Sequence, residues 1–311
     1  MILTITMNTS VDITYTVDDF RNGHTNRVKN VVKTAGGKGL NVSRVLHQVQ
    51  AEVCASGLIG GTTGDYIQNS LDSQNLKHCF YQINQESRNN ISIICGKEQT
   101  VILEAGPTVE IEEQQQFIEM FKNLLNEIDT VVLSGSLPRG IKSNFYSRLI
   151  AIAIDQEKQV LLDTSGEALE ESISAPIKPT LIKPNEHELS DLLKEPIDPK
   201  NLCELKNKLS SQRFYRIPWI VVSLGADGAL VKHGEEYYHA EVPTIEVMNA
   251  IGSGDSVIAG LAFAIDQKES PIDIIKRGMA YGVLNALEEK PGYLKINEFG
   301  KIFDQIRVHQ I

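Results

Sequence analysis

The stretch Asn249-Ala-Ile-Gly252-Ser253-Gly254-Asp255-Ser256 sets one acid among two glycines and two serines, and an apolar run of helical length, Val257 to Ile265, follows at once. Gly252 to Gly254 reads as a tight turn whose backbone N–H groups point outward at the start of that helix. Unpaired donors and the positive end of the helix dipole make such a terminus a site for anions, phosphates above all. A carboxylate at 255 would repel an anion, so its use there is to take a proton from something beside it. A base next to an anion hole is what phosphoryl transfer to an alcohol requires. Taken alone, the segment fits an ordinary capped helix after a glycine turn equally well.

Three further stretches could carry chemistry. Thr34-Ala-Gly36-Gly37-Lys38-Gly39-Leu40-Asn41-Val42 has three glycines in four residues, which lets a backbone approach a ligand closely. Its spacing is neither that of a Walker A loop nor that of a dinucleotide fingerprint, and a plain loop is the alternative. In Lys183-Pro184-Asn185-Glu186-His187-Glu188, proline forbids helix before it and Asn185 is a good N-cap. Asn185 and Glu188 then share one face of the first turn. An amide and a carboxylate there could hold Mg²⁺ through waters, or form a capping box that needs no metal; one geometry serves both. Ser223-Leu-Gly225-Ala-Asp-Gly228 follows a strand and could cradle a nucleotide or turn a hairpin. Asp163 ends a strand and is assigned no role; His47 and His187 read as bystanders.

These residues need elements to position them. Ile2 to Met7 reads as a buried strand, and Val11 to Val17 alternates apolar with polar, as a strand with one wet face does. A second alternating piece covers Arg27 to Val32. Arg88 opens a hairpin, 88–95 and 100–104, around a four-residue loop at 96–99; alone, Arg88 could be a solvated charge. These pieces form a small sheet outside the main core. From Pro107 onward, strands at Thr130, Gln159, Thr180 and Trp219 alternate with helices, which predicts a parallel sheet covered on both faces. Each strand's C-terminal end carries small or polar residues, the edge where ligands bind in open α/β sheets. Tyr237 to Val242 adds an antiparallel strand.

Composition sets the limits. The 311 residues suffice for one α/β domain with an insertion, and 41% hydrophobic with 23% charged residues is ordinary for a globular protein. A formal net charge of −10 argues against non-specific nucleic-acid binding and against an anionic membrane surface. A negatively charged substrate must therefore meet locally placed basic residues. The four cysteines show no metal-ligand spacing and are expected reduced and mostly buried. With no signal peptide and no membrane span, a cytoplasmic protein is expected.

Seven motifs in order resemble the ribokinase-like (PfkB) carbohydrate kinases, and within them the hexose-phosphate branch. They are Asp12, Gly36 to Val42, Arg88, Ser134-Gly135-Ser136-Leu137-Pro138, Lys183 to Glu188, Ser223 to Gly228, and Asn249 to Gly260. Two departures, Thr9 and Ala250 where the branch usually has proline, loosen turns and remove no catalytic group. The resemblance implies an α/β, ribokinase-like three-layer α/β/α domain with a mainly parallel central sheet plus a small β-sheet lid. Residues 1–11, 34–87 and 107–311 would form the core, and 12–33 and 88–106 the lid over the sugar site. The implied activity is ATP-dependent phosphorylation of a ketohexose phosphate, D-tagatose 6-phosphate ahead of fructose 1-phosphate. A silent sugar-phosphate sensor is disfavoured by the intact Asp255 set.

The resemblance also implies roles. Asp255 is the base, and Gly252, Ser253 and Gly254 stabilise the transferring group. Asp12, Gly37, Asn41 and Ser136 serve the sugar. Lys38 and Arg88 pair with its existing phosphate, and Arg27 is a lid residue able to reach a neighbouring subunit's site. Lys183, Asn185, Ser223, Gly225, Gly228 and Asn285 serve ATP, with Asn285 near the adenine, and Glu188 organises Mg²⁺. A homodimer through the lid sheets is implied.

Overall fold

Strand β1 (Ile2–Thr6) is buried along its whole length, as an apolar run without alternation should be when a sheet is covered on both sides. The computed structural model describes every residue except Lys97. After β1 come β2 (Ser10–Val17), β3 (Asn30–Gly36), α1 (Lys38–Gln48), β4 (Val53–Gly60), α2 (Gly61–Ser73) and β5 (His78–Ile83). The hairpin β6 (Arg88–Cys95) and β7 (Glu98–Leu103) precedes α3 (Ile111–Leu124), β8 (Thr130–Ser134), α4 (Phe145–Asp155) and β9 (Gln159–Asp163). Next are α5 (Gly166–Ser174), β10 (Leu181–Ile182), α6 (Glu186–Leu193) and α7 (Leu202–Leu209). β11 (Trp219–Ser223), β12 (Ala229–His233) and β13 (Glu236–Glu241) lead to α8 (Ser253–Asp266) and α9 (Pro271–Ala286). α10 (Phe299–Gln305) and β14 (Arg307–Gln310) close the chain.

The large sheet has the order β14-β13-β12-β11-β10-β9-β8-β1-β4-β5. Strands β11 through β5 in that order are parallel, and β12, β13 and β14 extend the sheet antiparallel. Strand alternation sends Leu3, Leu133 and Leu162 to one face, where they meet Phe117, Phe121 and Phe145 of α3 and α4. Ile2, Val132 and Leu161 point to the other, against Leu46 of α1, Ile258 of α8 and Leu284 of α9. The chain order reverses between β1 and β8, so the strand ends there open a crevice at the C-terminal edge.

The second sheet has the order β3-β2-β6-β7, with β2 and β6 parallel. Its register sets Ser10 beside Arg88 and Asp12 beside Asn90. Val11 and Ala35 anchor its inner end against Leu40, Ile59 and Ile67.

Several local expectations shift. β3 begins at Asn30 because β2 ends at Val17 and pairs no further than Thr16 with Asn30; Arg27 therefore lies in the preceding loop. The β6–β7 strands pair as far as Cys95 with Glu98, so the turn is shorter than the four residues expected, with Gly96 at φ 59°; Lys97, placed in that loop, lies outside the described residues. Of the cysteines only Cys54 is buried and Cys203 is exposed; all four are free. Helices α5 and α7 and strands β12 and β14 were not anticipated. Two of these, β12 and β14, belong to the antiparallel extension, whose short runs lack the strand–helix rhythm.

Candidate active site

Gly252 caps α8 with φ 83°, and a Cβ there would come 2.8 Å from the Gly292 nitrogen, so only glycine fits. Behind the turn, Asn285 is fully buried. Its Nδ2 donates to the Ile251 carbonyl at 2.9 Å, and its Oδ1 accepts from Ser256 Oγ at 3.1 Å and from the Gly292 N–H at 2.8 Å. Asn285 therefore props the turn from inside and is absent from the cleft lining, unlike the position near the adenine expected for it. Asp255, in the first turn of α8, is 7% exposed. One carboxylate oxygen accepts a 2.8 Å hydrogen bond from Asn41 Nδ2 on α1. Burial pushes its pKa up to about 6, against the pull of Lys38.

Beside Asp255 the ends of β9 and β10 contribute a charge cluster. Asp163 is buried, with Lys183 at 3.3 Å and Lys38 at 3.7 Å. Burial opposes ionisation of Asp163, but the two lysines outweigh it and hold the carboxyl below its usual range. Lys38 is held charged chiefly by Asp163, against burial, with help from Asp255 and Glu188. Lys183 Nζ lies 3.4 Å from where a Gly254 Cβ would sit, so it faces the glycine turn. Glu188 and Asn185 form the capping box: the Glu188 N–H donates to Asn185 Oδ1 at 2.8 Å, and the Asn185 N–H donates to Glu188 Oε2 at 2.9 Å. The other oxygen, Oε1, is 3.6 Å from Lys38.

The lid supplies the opposite wall. Asp12 Oδ1 accepts from Ser10 Oγ at 2.8 Å and from Asn90 Nδ2 at 2.9 Å. Arg88 donates to the Glu104 carbonyl at 3.0 Å. Its Nε is buried with no hydrogen-bond partner among the described residues.

Most of these groups line one cleft of about 770 Å³. Asp12, Gly37, Lys38, Asn41 and Arg88 line it, as do Gly252, Ser253, Gly254 and Asp255. Lys183, Asn185, Ser223, Gly225 and Gly228 also line it. The Ser223–Gly228 segment turns the β11–β12 hairpin, one of the two readings given for it, and also borders the cleft. Ser136 lines a side pocket of about 160 Å³ together with Lys38 and Arg88. Glu188 joins through Lys38. Arg27 is exposed and outside both linings. Sequence reasoning passed over Asp163, Asn90 and the apolar wall of Val242, Ile245, Val247, Met279 and Val283. The available signal for Asp163 was its place at a strand end, in line with Ser134 and Lys183.

The profile described as pfkB family carbohydrate kinase matches residues 5–296. A tagatose-6-phosphate kinase of Staphylococcus epidermidis is 42% identical over 311 residues, the whole of both chains. Among solved structures, a putative phosphofructokinase from Staphylococcus aureus superposes with TM-score 0.85 at 29% identity, covering 100% of this chain and 99% of that one. Phosphofructokinase-2 from Escherichia coli, in complex with potassium, superposes with TM-score 0.90 at 25% identity, covering 97% and 98%. With a buried acid at the head of a glycine-capped helix and a family match spanning nearly its whole length, the chain belongs to the pfkB family of carbohydrate kinases.

Proposed function

We propose that this kinase transfers the γ-phosphoryl group of ATP to a ketohexose phosphate, converting D-tagatose 6-phosphate to D-tagatose 1,6-bisphosphate. The observation that carries the reaction is Asp255: buried, raised to about 6, and set at the N-terminus of α8 beside Lys183. At neutral pH this carboxylate is ionised yet basic enough to take a proton from a hydroxyl. Asn41 engages Oδ2, which leaves Oδ1 to receive that proton as the sugar oxygen attacks phosphorus and the bond to ADP breaks. The backbone N–H groups of Ser253 and Gly254, with Lys183, meet the charge on the transferring group. The substrate choice rests on the relative that matches end to end at 42% identity and bears that name.

Asp12 and Gly37 serve the sugar hydroxyls in this reading, and Ser136, Lys38 and Arg88 the existing phosphate; their shared side pocket supports that assignment. Asn185, Ser223, Gly225 and Gly228 serve the nucleotide, with the apolar wall around Val247 and Met279 for its base. Among the described residues no three His, Cys, Asp or Glu converge on a metal. Glu188, with one oxygen in the capping box and the other 3.6 Å from Lys38 of the cleft lining, fits Mg²⁺ carried on the nucleotide's phosphates. When bound, that ion neutralises phosphate charge. The setting proposed is the cytoplasm; among the described residues no helix is long and apolar enough to cross a membrane.

A coupled assay across tagatose 6-phosphate, fructose 6-phosphate and fructose 1-phosphate tests the reading. The highest kcat/KM is expected for tagatose 6-phosphate, and a preference for fructose 1-phosphate would replace it. Asp255→Asn should keep substrate affinity within a few-fold and lose about 10²–10⁴ in turnover. Near wild-type turnover would place the base elsewhere.

A further inference from the structure

We infer that Arg44 is a positioning residue: it locks the amide of Asn41 in the one orientation that donates to the Asp255 carboxylate. Arg44 lies on α1, three residues after Asn41, and is 5% exposed. It lines neither the cleft nor the side pocket. Its Nη1 donates to Asn41 Oδ1 at 2.9 Å and its Nη2 to the Ala35 carbonyl at 2.5 Å. The guanidinium also sits over the Tyr293 ring, 5.5 Å from its centre. These direct partners are all neutral; burial works against the charge, and the carboxylates of Asp12 and Asp255 offset it from further off. A buried cation whose hydrogen bonds all go to neutral acceptors is a costly arrangement, and what those bonds accomplish here is directional.

A guanidinium has donors and no acceptor. Asn41 must therefore turn its oxygen to Arg44, which leaves its NH₂ for Asp255 Oδ2 at 2.8 Å. Were the amide reversed, its carbonyl would face the carboxylate, and only the protonated acid could satisfy it. Arg44 thus decides, at one remove, which protonation state of the base the amide favours. The surroundings are built to hold it. A Cβ at Gly292 would come 2.9 Å from Nη1, so glycine is needed there, at φ 71°. Gln48 pins the same segment by donating to the Gly292 carbonyl at 2.9 Å and accepting from the Leu294 N–H at 3.0 Å. The Gly292 N–H in turn meets Asn285, which props the glycine turn. One segment, Pro291 to Leu294, therefore braces both the guanidinium and the anion hole.

The inference rests on the kinase reading, and wild-type turnover of a sugar phosphate is the control that tells the two apart. The groups facing Asp255 are Asn41 and Lys38 from α1, Asp163 from β9 and Lys183 after β10, and the charge of Arg44 itself also acts on Asp255 and on Asp12. Arg44→Met leaves the first four in place and removes that charge; Arg44→Lys keeps it, and the Asn41→Ala background separates the direct charge effect from the one that passes through the amide. Arg44→Met should lower kcat about 10–10²-fold and move the acidic limb of the kcat–pH profile to higher pH by about one unit. KM for ATP should stay within a few-fold. Arg44→Lys, which keeps one donor for Asn41, should recover kcat to within a few-fold and restore the limb. In an Asn41→Ala background, Arg44→Met should add little further loss, because its effect passes through the amide. A folded Arg44→Met enzyme with wild-type kcat and limb overturns the inference, as do additive losses in the double variant. Should Arg44→Met fail to fold, Asn41→Ala decides alone: an upward limb shift supports the lock, and an unmoved limb removes it.

Discussion

Asp255 is asked to be ionised at neutral pH and yet to sit where ionisation is penalised, and the balance has a thermodynamic trace. Its pKa rises from an ordinary 3.8 to about 6 on folding, with burial as the largest cause. A carboxyl raised in this way favours folding below about pH 4 and loses that contribution as pH climbs through 6. At pH 8 the ionised side chain therefore costs the fold on the order of 3 kcal/mol at most. Asp255→Asn removes the charge, while Lys38 keeps Asp163 and Glu188 as partners. The variant should melt several degrees above wild type at pH 8, with the difference closing toward pH 4. Equal melting temperatures at pH 8 would show that burial is not what raises this carboxyl. The same residue was legible in the sequence, because an acid directly after two glycines at a helix start is locally odd. Asp163 was not: it ends an ordinary apolar strand. Its meaning comes from Lys38 and Lys183, which only the sheet brings to it.

At the level of elements, the parallel strands announced themselves through their rhythm with the helices, and the first lid strand through its alternation. What stayed hidden depended on partners. β3 takes its start from where β2 ends, which moved Arg27 off the sheet. β14 exists because β13 offers an open edge. Asn285, on α9, turned inward because the glycine turn needs an acceptor and a donor behind it. Arg88 shows the reverse case, a residue whose element was read correctly at its first position. It sits at the lid's inner end, where β6 runs beside β2, and its buried Nε has no hydrogen-bond partner among the described residues. A charge-assisted hydrogen bond to phosphate contributes roughly 1.5–3 kcal/mol. Arg88→Ala should lower kcat/KM for the sugar phosphate about 10–10²-fold and leave KM for ATP nearly unchanged. Equal losses on the unphosphorylated ketose would mean that Arg88 supports the lid instead of binding phosphate.

For the whole molecule, the lid is the part that does not bury itself. Val31 and Val32 on β3 and Val101, Ile102 and Leu103 on β7 are 48–65% exposed. A four-stranded sheet carrying that much open apolar surface is a natural contact for a second copy of the chain. A homodimer through the lids is the expected state, with Val101→Lys combined with Leu103→Lys giving a monomer by light scattering at micromolar concentration. A monomeric wild type would leave the patch without its proposed partner. The net charge of −10 gives a substrate anion no general attraction to the surface, so positive charge in the cleft must come from its few lysines and arginines.

Those cations are not independent. Lys38 opens α1, Lys183 follows β10, and a single carboxylate, Asp163, lies between them. An anion that draws on either lysine changes the charge Asp163 leaves for the other. If Lys38 meets the sugar's phosphate and Lys183 the nucleotide's, as proposed, the two substrates are joined by an energetic linkage through one side chain. By reciprocity, whatever factor the sugar phosphate applies to the nucleotide's affinity, the nucleotide returns to the sugar phosphate unchanged.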